Sequence, residues 1–227
     1  MSSPIIIALD MDRKSALELA KKLDPHDCKV KVGSQLFTNS GPKVIKELKD
    51  LGFDIFLDLK FHDIPNTVSK SIKTAIEMGV WMLNVHSLGG KEMLRAAHEV
   101  IEKAPIKPLL VGVTVLTSLN HKALKEIGLE LKTEDHVLLL AKLCETEGLD
   151  GVVCSPNELP ILREQMHENF LLVTPGIRSE EAIKDDQKRI STATSAVNKG
   201  ANFIVIGREI TSHNDPKGKI KQILETV

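Results

Sequence analysis

Residues 54–65, DIFLDLKFHDIP, carry three ionisable side chains in and just beyond an apolar run. Asp58, Lys60 and Asp63 follow Ile55, Phe56 and Leu57 in a D-x-K-x-x-D spacing. So apolar a stretch reads as a buried strand, where charge is costly unless it is paired or used. Side chains two apart on a strand share a face, so Asp58 and Lys60 point the same way, with Phe56 one step deeper. A carboxylate that fixes an ammonium supplies two things to a reaction. It aims a positive charge, and it holds a proton ready for delivery.

Such a pair needs a scaffold, and the rest of the chain shows one rhythm. LKDLGFDIFLDLK (48–60), IEMGVWMLNVHS (76–87), CETEGLDGVVCS (144–155) and VNKGANFIVIGR (197–208) each run from a helix end, through Gly52, Gly79, Gly148 or Gly200, into a short apolar stretch. Glycine after the last helical turn is the usual left-handed stop. A continuous apolar run fits a strand buried on both faces. Eight such strands are expected: 4–10, 28–33, 54–60, 80–87, 108–117, 149–155, 170–177 and 202–208. Segments with apolar residues at three- and four-residue steps lie between them, as at 13–23, 64–78 and 133–145. Eight βα units in 227 residues predict an α/β TIM barrel, one catalytic domain over 1–227. The competing doubly wound sheet lacks its glycine-rich fingerprint, because Asp10-Met11-Asp12-Arg13 follows the first strand.

Chemistry in a TIM barrel sits at the C-terminal ends of the strands. There the sequence places Asp10, Lys31, Asp58 with Lys60, His86, Thr117 with Ser118, and Cys154 with Ser155, strand by strand. Asp10, Lys31, Asp58 and Lys60 form an expected ring of alternating charge in which each group has an opposite neighbour. Strands seven and eight lead into Pro175-Gly176-Ile177-Arg178 and Gly207-Arg208. Gly207 opens the backbone and Arg208 offers a fork of donors, a pairing suited to phosphate. Arg178 and Gln187 stand ready to add contacts. His62 and His86 lack HxH or HExxH spacing and read as structural hydrogen bonders, so no metal site is expected.

Composition narrows the function classes. The balance of 42% hydrophobic and 27% charged residues is that of a soluble globular protein. A net charge of −1 and the absence of Tyr argue against a nucleic-acid partner. No run approaches ~18 apolar residues, so no membrane span is expected, and the N-terminal run is too short for a signal peptide. Cys28, Cys144 and Cys154 follow no CxxC pattern, which suggests reduced, buried thiols and a cytoplasmic protein.

The D-x-K-x-x-D stretch in DIFLDLKFHDIPNTV (54–68) resembles the signature of the orotidine 5′-phosphate decarboxylases. The resemblance extends to ALD (8–10), LDPHDCKVKVG (23–33), VTVLTS (113–118), LDGVVCS (149–155), VTPGIR (173–178) and VIGR (205–208), in order along nearly the whole chain. It implies a homodimeric TIM barrel that converts orotidine monophosphate to UMP without cofactor or metal. By position it implies a charged network of Lys31, Asp58, Lys60 and Asp63. Asp63, Ile64 and Thr67 are expected to reach the neighbouring subunit's site. Asp10 and Lys31 are expected at the ribose hydroxyls, and Thr117 near the pyrimidine. Pro175, Arg178, Gln187, Gly207 and Arg208 are expected at base and phosphate. The family's KVG segment often continues with a lysine and an acid, where this chain has Ser34-Gln35.

The mechanism that follows gives Lys60 the stabilisation of negative charge at C6 and then its protonation, with Asp58 and Asp63 fixing its aim. The polar stretch 176–190 is expected to act as a lid. The nearest rivals resemble ketogulonate-phosphate decarboxylase and hexulose-phosphate synthase, metal-dependent enzymes that use a carboxylate at strand two where this chain has Lys31. A non-catalytic nucleotide-binding regulator is the other alternative.

Overall fold

The computed structural model describes residues 3–179 and 191–227. Eight strands, β1 (Ile5–Ala8), β2 (Lys29–Gly33), β3 (Ile55–Phe61), β4 (Met82–His86), β5 (Leu109–Val113), β6 (Gly151–Val153), β7 (Leu171–Thr174) and β8 (Phe203–Ile206), close into a barrel in chain order. Every neighbouring pair is parallel, and β8 pairs back onto β1. This is the TIM barrel that the repeated βα rhythm predicts.

Helices form the connections. Among the described residues these are α1 (Arg13–Ala20), α2 (Ser34–Ser40), α3 (Lys43–Asp50), α4 (Pro65–Glu77), α5 (Gly90–Glu102), α6 (His121–Glu126), α7 (Thr133–Thr146), α8 (Leu159–Gln165), α9 (Ala193–Asn198), α10 (Arg208–Thr211) and α11 (Pro216–Leu224). Each long helix turns one apolar stripe inward: α5 buries Met93, Leu94, Ala97 and Ile101. Asp12 caps α1 by accepting from the Ser15 N–H at 3.1 Å. The four glycines that end the helices all take the left-handed backbone, with φ of 90, 70, 83 and 102° at Gly52, Gly79, Gly148 and Gly200.

Strand alternation divides the interior into two cores. Outward residues such as Ile5, Ile7, Val30 and Leu57 pack against the helices. Inward residues Ile6, Ala8, Phe56, Met82, Val111, Val173 and Val205 fill the barrel itself. Lys29 shares the inward parity of Lys31 but stands at the opposite end. There its ammonium lies 5.1 Å from the Trp81 ring centre and donates to the Ser3 carbonyl at 2.9 Å. The CKVKVG segment thus sends one lysine to the floor of the barrel and one to its mouth.

The strands are shorter than the apolar runs that mark them. The run 108–117 reads as one strand, but β5 stops at Val113. Thr114 makes the last links, from its N–H and its hydroxyl to the Val153 carbonyl at 3.4 and 2.9 Å. Its partner β6 ends at Val153, so no ladder remains to extend β5, and Leu116, Thr117 and Ser118 emerge exposed at the mouth. No helix among the described residues is long and apolar enough to cross a membrane.

Candidate active site at the barrel mouth

Adjacent strands bring four charges into one chain of contacts. The Lys31 ammonium on β2 lies 3.1 Å from Asp10 Oδ1 and 3.1 Å from Asp58 Oδ2. The Lys60 ammonium lies 2.7 Å from the other oxygen, Asp58 Oδ1. The order is therefore Asp10, Lys31, Asp58, Lys60, with signs alternating throughout. Burial is graded along it. Lys31 and Asp58 are each 8% exposed, Lys60 is half-buried and Asp10 stands open to solvent.

Burial alone disfavours the charged form of both inner groups. Burial pushes Asp58 upward, but the Lys31 and Lys60 charges, with hydrogen bonds from Lys60 and Asn84, outweigh it and hold its pKa below the usual carboxylate range. Burial likewise pulls Lys31 down, while Asp58 and Asp10 more than compensate and leave its pKa raised. Both groups stay charged at neutral pH. Gly33 leaves room beside them: a Cβ there would come within 3.1 Å of Lys31 Nζ and 3.2 Å of Asp10 Oδ1, so one of these side-chain ends would have to shift by a few tenths of an ångström.

The strand carrying Lys60 is not regular. Lys60 has φ of 52°, the one non-glycine residue with positive φ among those described, and the β3–β4 register shifts between Leu57 and Phe61. Asn84, fully buried on β4, spans the irregularity. Its Oδ1 accepts the Lys60 backbone N–H at 2.8 Å, and its Nδ2 donates to Asp58 Oδ1 at 2.6 Å. Asn84 was not singled out from the sequence. The available signal was an amide at an inward position of the apolar run VWMLNVHS (80–87).

A cavity of about 290 Å³ opens over this chain of charges. Asp10, Lys31, Asp58 and Lys60 line one side, Thr117 stands on the β5 side, and Pro175, Arg178, Gly207 and Arg208 line the side of β7 and β8. A Cβ on Gly207 would meet nothing nearer than Ala8 Cβ at 3.8 Å, an ordinary contact, so the backbone there is not crowded. Arg208 is exposed and makes no ion pair among the described residues, whereas Arg178 donates to the Ile177 carbonyl at 2.8 Å. Cys154 also borders the cavity, but burial pushes its thiol up to about 12, too high for a nucleophile at neutral pH.

Three expected site residues lie apart from the cavity. Asp63 does not contact Lys60 within the chain. It follows the end of β3 by two residues, is exposed, and its carboxylate accepts the Ile64 N–H at 2.6 Å. The expectation that Asp63 fixes the ammonium therefore does not hold inside one chain, because the backbone has already turned toward α4. Ile64 and Thr67 are exposed beside it. Gln187, and the expected lid beyond residue 179, lie outside the described residues. His62 and His86 stack with ring centres 5.3 Å apart, and His86 Nδ1 accepts the Leu88 N–H. No cluster of three or more His, Cys, Asp or Glu suited to a metal occurs among the described residues.

The chain is similar to known proteins along nearly its whole length. A family model described as Orotidine 5′-phosphate decarboxylase / HUMPS family matches residues 3–223. The chain is 51% identical over 222 residues to an orotidine 5′-phosphate decarboxylase of Nitrosococcus oceani, covering 97% of this chain and 96% of that one. It is 49% identical over 226 residues to that of Dichelobacter nodosus, covering 99% of each. A crystal structure of orotidine 5′-phosphate decarboxylase from Lactobacillus acidophilus superposes with a TM-score of 0.88 at 40% identity, covering 99% of this chain and 98% of that one.

Proposed function

The chain belongs to the orotidine 5′-phosphate decarboxylase / HUMPS family, and on that premise we propose that it is the carboxy-lyase that converts orotidine 5′-monophosphate to UMP in pyrimidine nucleotide synthesis. The observation that carries the assignment within the family is the ammonium of Lys31, seated between Asp10 and Asp58 with Lys60 on the far side of Asp58.

Loss of CO₂ breaks the bond from C6 to the carboxylate and leaves the electron pair on C6. The pyrimidine offers no sink for that pair close by, so the protein must stabilise it by charge. Lys60 is the outermost ammonium of the chain and faces the cavity. It stabilises the developing carbanion and then transfers a proton to C6, and solvent restores the proton to the amine. Asp58 fixes the position of the ammonium from 2.7 Å. As Asp58 is held ionised, it also repels a carboxylate placed beside it, and that repulsion is relieved as CO₂ departs.

Binding energy is gathered away from the reacting carbon. Asp10 and Lys31 hold the ribose hydroxyls, Thr117 and Pro175 border the base, and Arg208 with the Gly207 backbone and Arg178 receives the phosphate; Gln187 joins this set. The exposed segment holding Asp63, Ile64 and Thr67 belongs to a homodimer, in which it completes the neighbouring subunit's site. The buried free thiols suit a cytoplasmic enzyme.

The reaction proceeds without metal or cofactor. A divalent ion bound between Asp10 and Asp58 would have to displace the Lys31 ammonium that already neutralises both. The deciding experiment follows the ultraviolet loss of orotidine monophosphate with excess EDTA. Undiminished turnover supports the proposal, and absence of CO₂ release despite tight UMP binding would favour a nucleotide-binding regulator.

A further inference from the structure

Asn84 stands outside the roles assigned above, yet it touches both ends of the catalytic pair. Its two contacts fix the orientation of its amide without ambiguity. A carboxylate only accepts, so Nδ2 must face Asp58 Oδ1; a backbone N–H only donates, so Oδ1 must face Lys60. One planar group therefore sets the carboxylate that aims the ammonium and the backbone from which that ammonium springs.

The backbone contact replaces part of the sheet. The β3–β4 register breaks where Lys60 turns to φ 52°, and the Asn84 side chain takes up the Lys60 N–H at that break. A left-handed lysine is strained and persists only where its surroundings impose it. We infer that Asn84 is a positioning residue that holds Lys60 in this conformation and sets the Asp58–Lys60 geometry needed for proton delivery. The inference rests on the decarboxylase reading above.

The groups around Asn84 are few. Asp58 and Lys60 face it from β3, with Lys31 beyond Asp58, while His86 follows two residues along β4 and β5 presents Val111 and Val113. A carboxyl introduced here would, when ionised, repel Asp58 and compete with it for the Lys60 ammonium that shares Asp58 Oδ1.

Two variants test the assignment in the full-length protein, with wild-type turnover of orotidine monophosphate measured alongside. Asn84→Leu keeps the number and branching of side-chain heavy atoms, exchanges the planar amide for bulkier methyl groups and removes both contacts. Its kcat is expected to fall about 100-fold, the scale of a misplaced catalytic group, while the Kd for UMP changes by less than about threefold. Asn84→Asp is isosteric and keeps the acceptor for the Lys60 N–H. When protonated, the new carboxyl donates to Asp58 as the amide does; when ionised, it repels Asp58. Its kcat is expected to rise relative to wild type as pH is lowered through the titration of the carboxyl pair. A role confined to packing would leave that ratio flat.

Turnover of Asn84→Leu within about threefold of wild type overturns the inference, as does equal loss of kcat and UMP affinity. If Asn84→Leu does not fold, the pH ratio for Asn84→Asp decides alone, and a flat ratio overturns it. A wild-type protein that releases no CO₂ would instead overturn the decarboxylase reading.

Discussion

Lys60 Nζ lies 2.7 Å from Asp58 Oδ1, two residues back along the same strand. The register shift and the left-handed Lys60 backbone fall within this short reach, so the contact is not the ordinary consequence of strand alternation. Lysine is a flexible point charge, and its aim must come from such partners.

Replacing the ammonium tests its role most directly. Lys60→Ala is expected to lower kcat by at least about 10³-fold, since both charge stabilisation and the proton donor are lost. UMP binding should survive, because Lys31, Arg178 and Arg208 remain around the cavity. Single-turnover release of CO₂ and UMP titration separate the two effects. Near-normal turnover would end the mechanism.

Arg208 is exposed at the cavity's edge beside an uncrowded glycine backbone, with no protein carboxylate competing for it among the described residues. Arg208→Ala should weaken UMP by about 10- to 100-fold, the worth of a charge-assisted contact. Uridine, which lacks phosphate, should bind almost unchanged. Calorimetric titration of both ligands checks this, and equal weakening of the two would remove phosphate from the Arg208 role.

The barrel was legible because its signals are local and repeated. Gly52, Gly79, Gly148 and Gly200 mark the helix ends, and apolar runs mark the strands. Strand ends drew Asp10, Lys31, Pro175, Gly207 and Arg208 to one mouth, and Asp58 and Lys60 meet there as expected, though through an irregular backbone that parity does not describe. Three features were not legible. Strand length depends on a partner's end, so the stop of β5 at Val113 was hidden in β6. The turn that carries Asp63 away from Lys60 begins at the left-handed Lys60 and leaves Asp63 bonded to the Ile64 N–H, neither of which spacing reveals. Asn84 looked like one polar residue in an apolar run until its neighbours were known.

The charged chain should also shape acid stability. Asp58 has a folded pKa below its unfolded value, so it contributes stability that is present above about pH 3.9 and lost as pH falls through the folded value. Asp58→Asn removes that contribution and leaves Lys31 with Asp10 as its remaining carboxylate partner. The wild type should therefore exceed Asp58→Asn in stability at pH 7 and pH 5, with the gap closing below about pH 3.9 as Asp58 protonates. Urea midpoints across that range read the gap directly, and a constant gap would show that the charge of Asp58 adds nothing to folding.

Stability and catalysis should separate at the opposite end of the barrel. Arg163 of α8 donates Nε to the Gly200 carbonyl at 2.9 Å, Nη1 to the Phe170 carbonyl at 2.8 Å and Nη2 to Asn202 Oδ1. Asn202 Oδ1 in turn accepts the Leu172 N–H at 2.8 Å. One guanidinium thus joins α8 to the entries of β7 and β8, and its planar fork suits three acceptors that an ammonium could not match. Arg163→Ala leaves two carbonyls without this donor and should cost about 2 kcal/mol, with Arg163→Lys recovering only part of it. These contacts lie at the N-terminal ends of the strands, whereas Asp58, Lys60 and Arg208 lie at the C-terminal ends. The kcat of the folded variant should accordingly match wild type. A loss of kcat at full folding would mean that the floor of the barrel is coupled to its mouth, and an unchanged urea midpoint would mean that the three contacts carry no net stability.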